Sequence, residues 1–133
     1  MTAIWKIAVP LLAVFFAVAS AGMGMTGGLS EADLESAPVK DALQFAVLQY
    51  NRGNNAMYQS KMTKLIKAQQ QVVAGMKYFF TVELSMTSCR KNVDLKQCEV
   101  HKDPAMAAPK ECVLTVWSRS WLNEMELTKT ICK

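Results

Sequence analysis

Apolar residues recur at helical spacing between positions 39 and 50. They stand at i, i+3, i+4, i+7, i+8 and i+11, which is one face of an α-helix: Val39, Ala42, Leu43, Ala46, Val47 and Tyr50. Ser36 and Pro38 provide signals for the start of a helix, and Gly53, which stands among asparagines, provides a signal for its end. The pattern therefore predicts a single amphipathic helix.

The hydrophobic period changes to two in the middle of the chain. Between positions 77 and 86, apolar side chains occupy every second position: Tyr78, Phe80, Val82, Leu84 and Met86. This alternation predicts a half-buried strand. A weaker mixed stretch, residues 57–73, is its predicted partner, and Gly75 between the two supplies a tight turn.

Two further short strands are predicted near the C-terminus, over residues 112–117 and 124–132, joined by residues 118–123. Residues 87–110 carry many charges and two prolines around two cysteines, which predicts a long connection stabilised by a disulfide. The order helix, strand, strand, connection, strand, strand predicts an α+β domain with one helix on the apolar face of an antiparallel sheet.

The N-terminus has the pattern of a secretory signal peptide. Lys6 precedes an uncharged apolar run over residues 7–19, and small residues follow up to Ala21. The alternative is a membrane anchor, but the run is shorter than the roughly 18–20 residues needed to cross a bilayer, and Pro10 lies inside it. We therefore expect a signal peptide over residues 1–21, a secreted domain over residues 22–133, and no membrane attachment after cleavage; residues 17–19 offer an earlier cleavage site.

The four cysteines, Cys89, Cys98, Cys112 and Cys132, are expected to form disulfides, because the exported chain meets an oxidising compartment. Three pairings can be drawn. The sequential pairing, Cys89–Cys98 with Cys112–Cys132, is favoured because it closes two compact loops. The alternative is a metal site at Cys98 and His101, but no second ligand pair stands at zinc-finger spacing, so we expect no metal and no cofactor.

Size and charge exclude several classes of function. A chain of 133 residues carries one domain. The formal charge of +4 is modest and scattered, and it does not indicate a nucleic-acid partner.

Catalysis is not expected. Disulfide pairing leaves no cysteine nucleophile, and the single histidine, His101, is interpreted as a solvated loop residue. The sequence contains no GxSxG, P-loop or HExxH motif.

A five-residue motif at the predicted first turn carries a family resemblance. The sequence Gln71-Val72-Val73-Ala74-Gly75 matches the Gln-x-Val-x-Gly signature of the cystatins. The preceding helix, the four cysteines and a tryptophan in the second hairpin extend the match over the expected mature chain, which resembles a secreted type 2 cystatin. The resemblance implies the cystatin fold, an antiparallel sheet of four to five strands wrapped around one long α-helix, with two disulfides.

The resemblance also implies a function. Cystatins of this type are reversible, competitive inhibitors of papain-like cysteine proteases, including cathepsins of the L, S, H and B types, and a wedge of three segments enters the protease cleft. The matching positions here are Gly27, the first-hairpin residues Gln71–Gly75, and the second-hairpin pair Ser120-Trp121. A monomer is expected. The alternative is a non-inhibitory binding protein that retains only the fold.

Two departures from the family pattern change the expectations. Ser120 replaces the usual proline of the second hairpin, so affinity is expected to weaken most for obstructed clefts of the cathepsin B type. Met25 and Thr26 stand where the family tends to carry aliphatic residues before Gly27, so a smaller contribution to binding is expected from that segment. Some cystatins also inhibit legumain through a Ser-Asn-Asp motif. Here the aligned residues are Asn54-Asn55-Ala56, which keep only the asparagine, Asn55.

Overall fold

The computed structural model describes residues 28–133. Five antiparallel strands form one sheet in the order β1-β2-β3-β4-β5, and one long helix packs on it. The elements are β1 (Ser30–Glu31), α1 (Ala37–Gly53), β2 (Tyr58–Val73), β3 (Gly75–Arg90), a short helix α2 (Pro104–Ala107), β4 (Lys110–Arg119) and β5 (Glu124–Cys132). The predicted α+β architecture is confirmed.

Helix α1 buries the face that the sequence pattern predicted. Val39, Ala42, Ala46, Val47 and Tyr50 are all buried. The helix extends beyond the predicted residues at both ends, from Ala37 to Gly53. The amphipathic stripe marks only the part of a helix that faces the core, and the end turns lie beyond it.

The core lies between this helix face and the inner faces of β3 and β4. The alternating residues of the two strands are buried: Tyr78, Phe80, Val82, Leu84, Cys112, Leu114 and Val116. Phe80 of β3 pairs with Leu114 of β4, and Tyr78 pairs with Val116, so the two runs of apolar side chains share one face. Burying this continuous surface against α1 provides the main stabilisation of the fold.

Strand β3 is longer than predicted, because it continues through residues 87–90 of the predicted connection. The rest of the connection holds a 3-10 turn (Leu95–Gln97) and α2, each preceded by an aspartate, Asp94 or Asp103, whose side chain accepts a backbone hydrogen bond. The two-residue strand β1 was not predicted, because two residues cannot display a period.

The disulfides are Cys89–Cys98 and Cys112–Cys132, the sequential pairing favoured above. The first closes the base of the connection, and the second joins β4 to β5 at directly paired positions. Because Cys98 is in a disulfide, it has no thiolate to offer a metal together with His101. Within the described residues, no group of three or more acidic, histidine or cysteine side chains is placed to hold a metal ion.

His101 is not the solvated loop residue that the sequence indicated. Its backbone N–H donates to the Met86 carbonyl oxygen at 3.0 Å. Its ring meets the Tyr58 ring edge-on, with 5.9 Å between centroids, and its Nε2 is buried without a hydrogen-bond partner. The charged neighbours of His101 in the sequence concealed that the connection folds back onto the sheet.

Asn51 is a second residue whose role differs from its interpretation as part of a helix stop. It is buried, and its side chain pairs with the backbone of Ser60: Nδ2 donates to the carbonyl oxygen at 2.9 Å, and Oδ1 accepts from the N–H at 2.8 Å. This two-bond contact fixes the end of α1 to the start of β2.

The expected signal peptide, residues 1–21, lies outside the described residues, so the predicted division into residues 1–21 and 22–133 remains a prediction. Among residues 28–133, no helix is both long and apolar enough to cross a membrane.

Candidate functional site

The first hairpin ends in a very tight turn with exposed apolar side chains. Val73 pairs with Gly75, which leaves Ala74 alone at the apex. Val72 is 66% exposed, and Val73 is also exposed. Valine has little rotamer freedom to lose on binding, so this tip is apolar surface that a partner can cover at low entropic cost.

Gly75 is required by its backbone angle and by its surroundings. Its φ is +91°, and a Cβ atom at this position would lie 2.3 Å from the Ser118 carbonyl oxygen and 3.3 Å from Trp121 Cη2. Only glycine permits both this φ and this approach. The first hairpin therefore lies directly against the second one at Gly75.

The second hairpin turns through a 3-10 turn over Ser120–Leu122. Asn123 then adopts a left-handed conformation, with φ of 53°, and its N–H donates to the Ser120 carbonyl oxygen at 3.1 Å. Trp121 is 60% exposed and Leu122 is also exposed. The turn thus closes without the proline of the family pattern and presents two large apolar side chains.

Trp117 connects the two hairpins, a role that the sequence did not reveal. Its Nε1–H donates to the Ala74 carbonyl oxygen at 2.8 Å. The only available signal was the alternation in β4, which places Trp117 on the face opposite the buried Val116. Leu122 was also missed, because a single leucine in a loop carries no pattern.

Arg119 stacks on the outer surface of Trp117, with its guanidinium carbon 4.2 Å from the ring centroid. The same guanidinium pairs with Glu124 at 3.3 Å and with Glu126 at 3.7 Å. These contacts hold the indole in the orientation that reaches Ala74.

Tyr78 lies behind the hairpins in the core and is 4% exposed. Its ring stacks with Phe80, with 6.0 Å between centroids. Burial in these apolar surroundings raises the pKa of the Tyr78 phenol above its ordinary value. The Tyr78 ring is therefore part of the core that supports both hairpins.

The other predicted site residues divide into two groups. Gln71 is half-buried on β2 opposite Lys77, close to the tip, whereas Gly27 lies outside the described residues. Ser30, the first residue of β1, pairs with Gln70, so this end of β1 lies beside the part of β2 that leads to the tip. The structure thus groups Gln71, Val72, Val73, Ala74, Gly75, Ser120 and Trp121 at one end of the sheet.

Asn55 is exposed in the loop between α1 and β2, at the opposite end of β2 from the tip. Asn54 holds this loop: its Nδ2 donates to the Tyr50 carbonyl oxygen at 3.1 Å, and its Oδ1 accepts from the Ala56 N–H at 3.0 Å. Asn55 is therefore not part of the surface that the two hairpins form.

Comparisons with known proteins point to one family. Residues 27–121 match the Cystatin domain family. A cystatin from Oncorhynchus keta is 48% identical over 97% of this chain and 98% of its own length, and a cystatin-C from Bos taurus is 39% identical over 82% and 74%. The structure is similar to that of dimeric human cystatin F, with a TM-score of 0.71 and 26% identity over 81% of this chain and 87% of that one.

Proposed function

The chain belongs to the cystatin family, and from this premise we propose that it is a secreted, reversible and competitive inhibitor of papain-like cysteine proteases. Cystatins are protease inhibitors rather than enzymes. We propose that the tips of both hairpins enter the active-site cleft of the protease, with the segment around Gly27 as the third part of the wedge.

One observation supports this proposal above the others: a Cβ atom at Gly75 would lie 2.3 Å from the Ser118 carbonyl oxygen and 3.3 Å from Trp121 Cη2, so the two tips lie side by side. The hydrogen bond from Trp117 to Ala74 joins the hairpins a second time. A surface that is already ordered loses little conformational entropy on binding, which favours tight association from an interface of ordinary size.

The side chains on this surface are suited to a cleft. Trp121, Val72 and Leu122 are all exposed and apolar. A rigid aromatic side chain that becomes buried in a partner is the common form of an interface hot spot. We expect Trp121 to be the largest single contributor to affinity.

The proposed mechanism is non-covalent. The four cysteines of the described residues are all in disulfides, so no free thiol is available to react with the protease. Ala74 stands at the apex of a turn in which Val73 and Gly75 pair directly. A substrate must present an extended peptide to the nucleophile, and the constrained turn does not, so the chain blocks the cleft without being cleaved.

The third part of the wedge is supported by the direction of β1. Ser30, the first residue of β1, pairs with Gln70 close to the first tip, and we propose that the segment around Gly27 continues toward this end of the molecule. Glycine there lets the backbone turn away from the protease nucleophile.

The test is titration of the secreted, oxidised protein against papain and a cathepsin L-type protease. Expression of the full chain in a secreting cell, followed by N-terminal sequencing of the product, tests cleavage after Ala21 at the same time. We expect inhibition that recovers on dilution and weakens in proportion to substrate concentration.

Trp121→Ala is the key variant, and Ile66→Ala is its matched control. Both side chains are exposed and apolar, but Ile66 stands seven residues before Val73 in β2 and therefore lies about 20 Å from the tip. We expect Trp121→Ala to raise Kd about 30- to 150-fold, which corresponds to about 2–3 kcal/mol, and Ile66→Ala to change it less than about twofold. Correctly folded wild-type protein that inhibits neither protease would overturn the proposal and favour a non-inhibitory binding protein.

The family resemblance also implies inhibition of legumain. We propose that the exposed loop of Asn55 is the site of this second activity. The same preparations can be titrated against legumain with an Asn55→Gln variant. Inhibition that is lost in this variant while papain inhibition remains would support a separate site, and no legumain inhibition by the wild type would remove it.

A further inference from the structure

A groove of about 720 Å³ lies on the side of the molecule away from the hairpin tips. Its walls are the outer side of α1, the start of β2 and residues 91–96 of the connection. The connection is held in place by Gln59, whose Nε2 donates to the carbonyl oxygens of Arg90 at 2.9 Å and Val93 at 2.6 Å. The groove is thus a fixed feature between two anchored elements.

The floor of the groove is apolar, and its aliphatic side chains range from the buried Val47 to the exposed Leu48. Its aliphatic side chains come from all three walls: Leu43, Val47, Leu48, Met62 and Leu95. Leu48 is 42% exposed although it stands on the helix that supports the core. A concave surface of this kind, with a volume between about 300 and 1,000 Å³, is typical of small-molecule sites.

The rim of the groove is cationic. Five of its residues are basic and one, Asp94, is acidic: Lys40, Arg52, Lys61, Lys91 and Lys96. In the part of the chain that the structure describes, only Lys40 among these five lies within 4.0 Å of a carboxylate, that of Glu35 at 3.9 Å. The Asp94 carboxylate accepts from the Lys96 backbone N–H at 3.0 Å.

Two of the lysines are fixed by neutral acceptors rather than by carboxylates. Lys61 Nζ donates to the Cys98 carbonyl oxygen at 3.0 Å. Lys91 Nζ donates to the Asn51 carbonyl oxygen and to Asn54 Oδ1, the latter at 2.9 Å. Desolvation by partial burial lowers the pKa of Lys91, because removal from water disfavours the charged form. An anion at the rim would supply the missing charge.

We propose that this groove binds a single-chain amphipathic anion of the fatty-acid class, with its alkyl chain on the aliphatic floor and its carboxylate at the lysine and arginine rim. The charge of the rim selects an anion, and the apolar floor selects a long alkyl group over a small inorganic ion. The groove volume of about 720 Å³ lies in the range of small-molecule sites, which favours a small ligand over a second protein.

The proposal is tested by titrating dodecanoate, below its micelle concentration, into the folded oxidised protein by calorimetry. Dodecyltrimethylammonium is the matched ligand control, because it has the same chain and the opposite charge. We expect saturable one-to-one binding of dodecanoate and none of the cation. Equal binding of both amphiphiles, or no saturable binding of dodecanoate, would overturn the proposal.

Leu48→Glu is the decisive variant, because it places a negative charge on the floor at an exposed position that tolerates it. Ile66→Glu is the control, since Ile66 is also an exposed aliphatic residue and does not line the groove. We expect dodecanoate affinity to fall about 10-fold or more in Leu48→Glu, because the carboxylate repels the anion and interrupts the apolar floor, and to be unchanged in Ile66→Glu.

The double variant Arg52→Gln and Lys96→Gln removes rim charge from exposed side chains and is expected to weaken binding about 3- to 10-fold. Sedimentation tests whether a second copy of the chain occupies the groove instead. If the wild type bound no dodecanoate but formed a dimer, and Leu48→Glu abolished this dimer while Ile66→Glu did not, the groove would be assigned to a second copy of the chain. Papain inhibition is measured on the same variants and is expected to be unchanged, so failure of this proposal is distinguishable from failure of the proposed function.

Discussion

Replacing Gly75 by alanine would add one methyl group where the two hairpins meet. The structure gives the perturbation directly: the new Cβ would lie 2.3 Å from the Ser118 carbonyl oxygen, at a residue whose φ is +91°. Contacts between carbon and a carbonyl oxygen normally lie at about 3.3–3.6 Å. The backbone of one hairpin must therefore move by roughly 1 Å, or the turn must change its conformation.

Two energetic costs contribute to the expected loss of stability in Gly75→Ala. A positive φ in a residue with a Cβ costs about 1–2 kcal/mol, and forcing a methyl group into a filled contact costs about 1–3 kcal/mol. Because partial relaxation reduces the sum, we expect Gly75→Ala to lower the free energy of unfolding by about 2–4 kcal/mol. The relaxation would separate the hairpins, so affinity for papain is expected to fall as well.

The assay is equilibrium denaturation in guanidinium chloride, with Gly53→Ala as the control. Gly53 ends α1, has no positive φ, and a Cβ there would meet nothing within 4 Å. We expect Gly53→Ala to stabilise the protein slightly, by up to about 1 kcal/mol, because alanine restricts the unfolded chain more than glycine does. Unfolding of Gly75→Ala at the same denaturant concentration as wild type would refute the close approach of Gly75 to Ser118.

Three further predictions follow from contacts elsewhere. Trp117→Phe replaces the indole by a smaller aromatic ring that cannot donate the hydrogen bond to Ala74. Because that bond orders the first tip, papain should dissociate about 3- to 10-fold faster in progress curves, and an unchanged rate would show that the bond does not order the tip. Replacing Cys112 and Cys132 by alanine should lower the unfolding free energy by about 3 kcal/mol in urea, since the disulfide closes a loop with a sequence separation of 20; a loss below about 1 kcal/mol would contradict this account. The raised pKa of Tyr78 means that its contribution to the free energy of unfolding is complete below pH 10 and is lost as pH rises through the folded-state pKa. Absorbance at 295 nm should show one tyrosine whose pKa is higher than that of tyrosine in the unfolded chain. Tyr78→Phe should remove that component of the titration.

Much of the fold could be predicted from local pattern. The stripe from Val39 to Tyr50 predicted α1, and the alternation from Tyr78 to Met86 predicted β3, because each pattern records which side of an element faces the core. The boundaries were less certain: β3 continues to Arg90, beyond the last position at which alternation is visible. Strand ends depend on pairing with a neighbouring strand, which the local pattern does not contain.

The motif at Gln71–Gly75 placed the first tip correctly between two strands. The sequence did not reveal that Trp117 reaches Ala74, which stands 43 positions earlier in the chain. That contact exists only because the β3–β4 register brings the end of β4 beside the first turn. The same register explains why position 75 must be glycine. The atom that excludes a Cβ is the carbonyl oxygen of Ser118, which belongs to the other hairpin.

The helix, the strand alternation, the favoured disulfide pairing and the family could be inferred from the order of residues, because these depend on the spacing of residue types along the chain. The contacts between loops, the buried anchor of Asn51 on Ser60, and the cationic residues around one apolar groove became visible in the folded chain alone. The physical reason is that burial and contact are set by strand register and by the packing of distant segments. Those are properties of the whole chain, and no local window of sequence contains them.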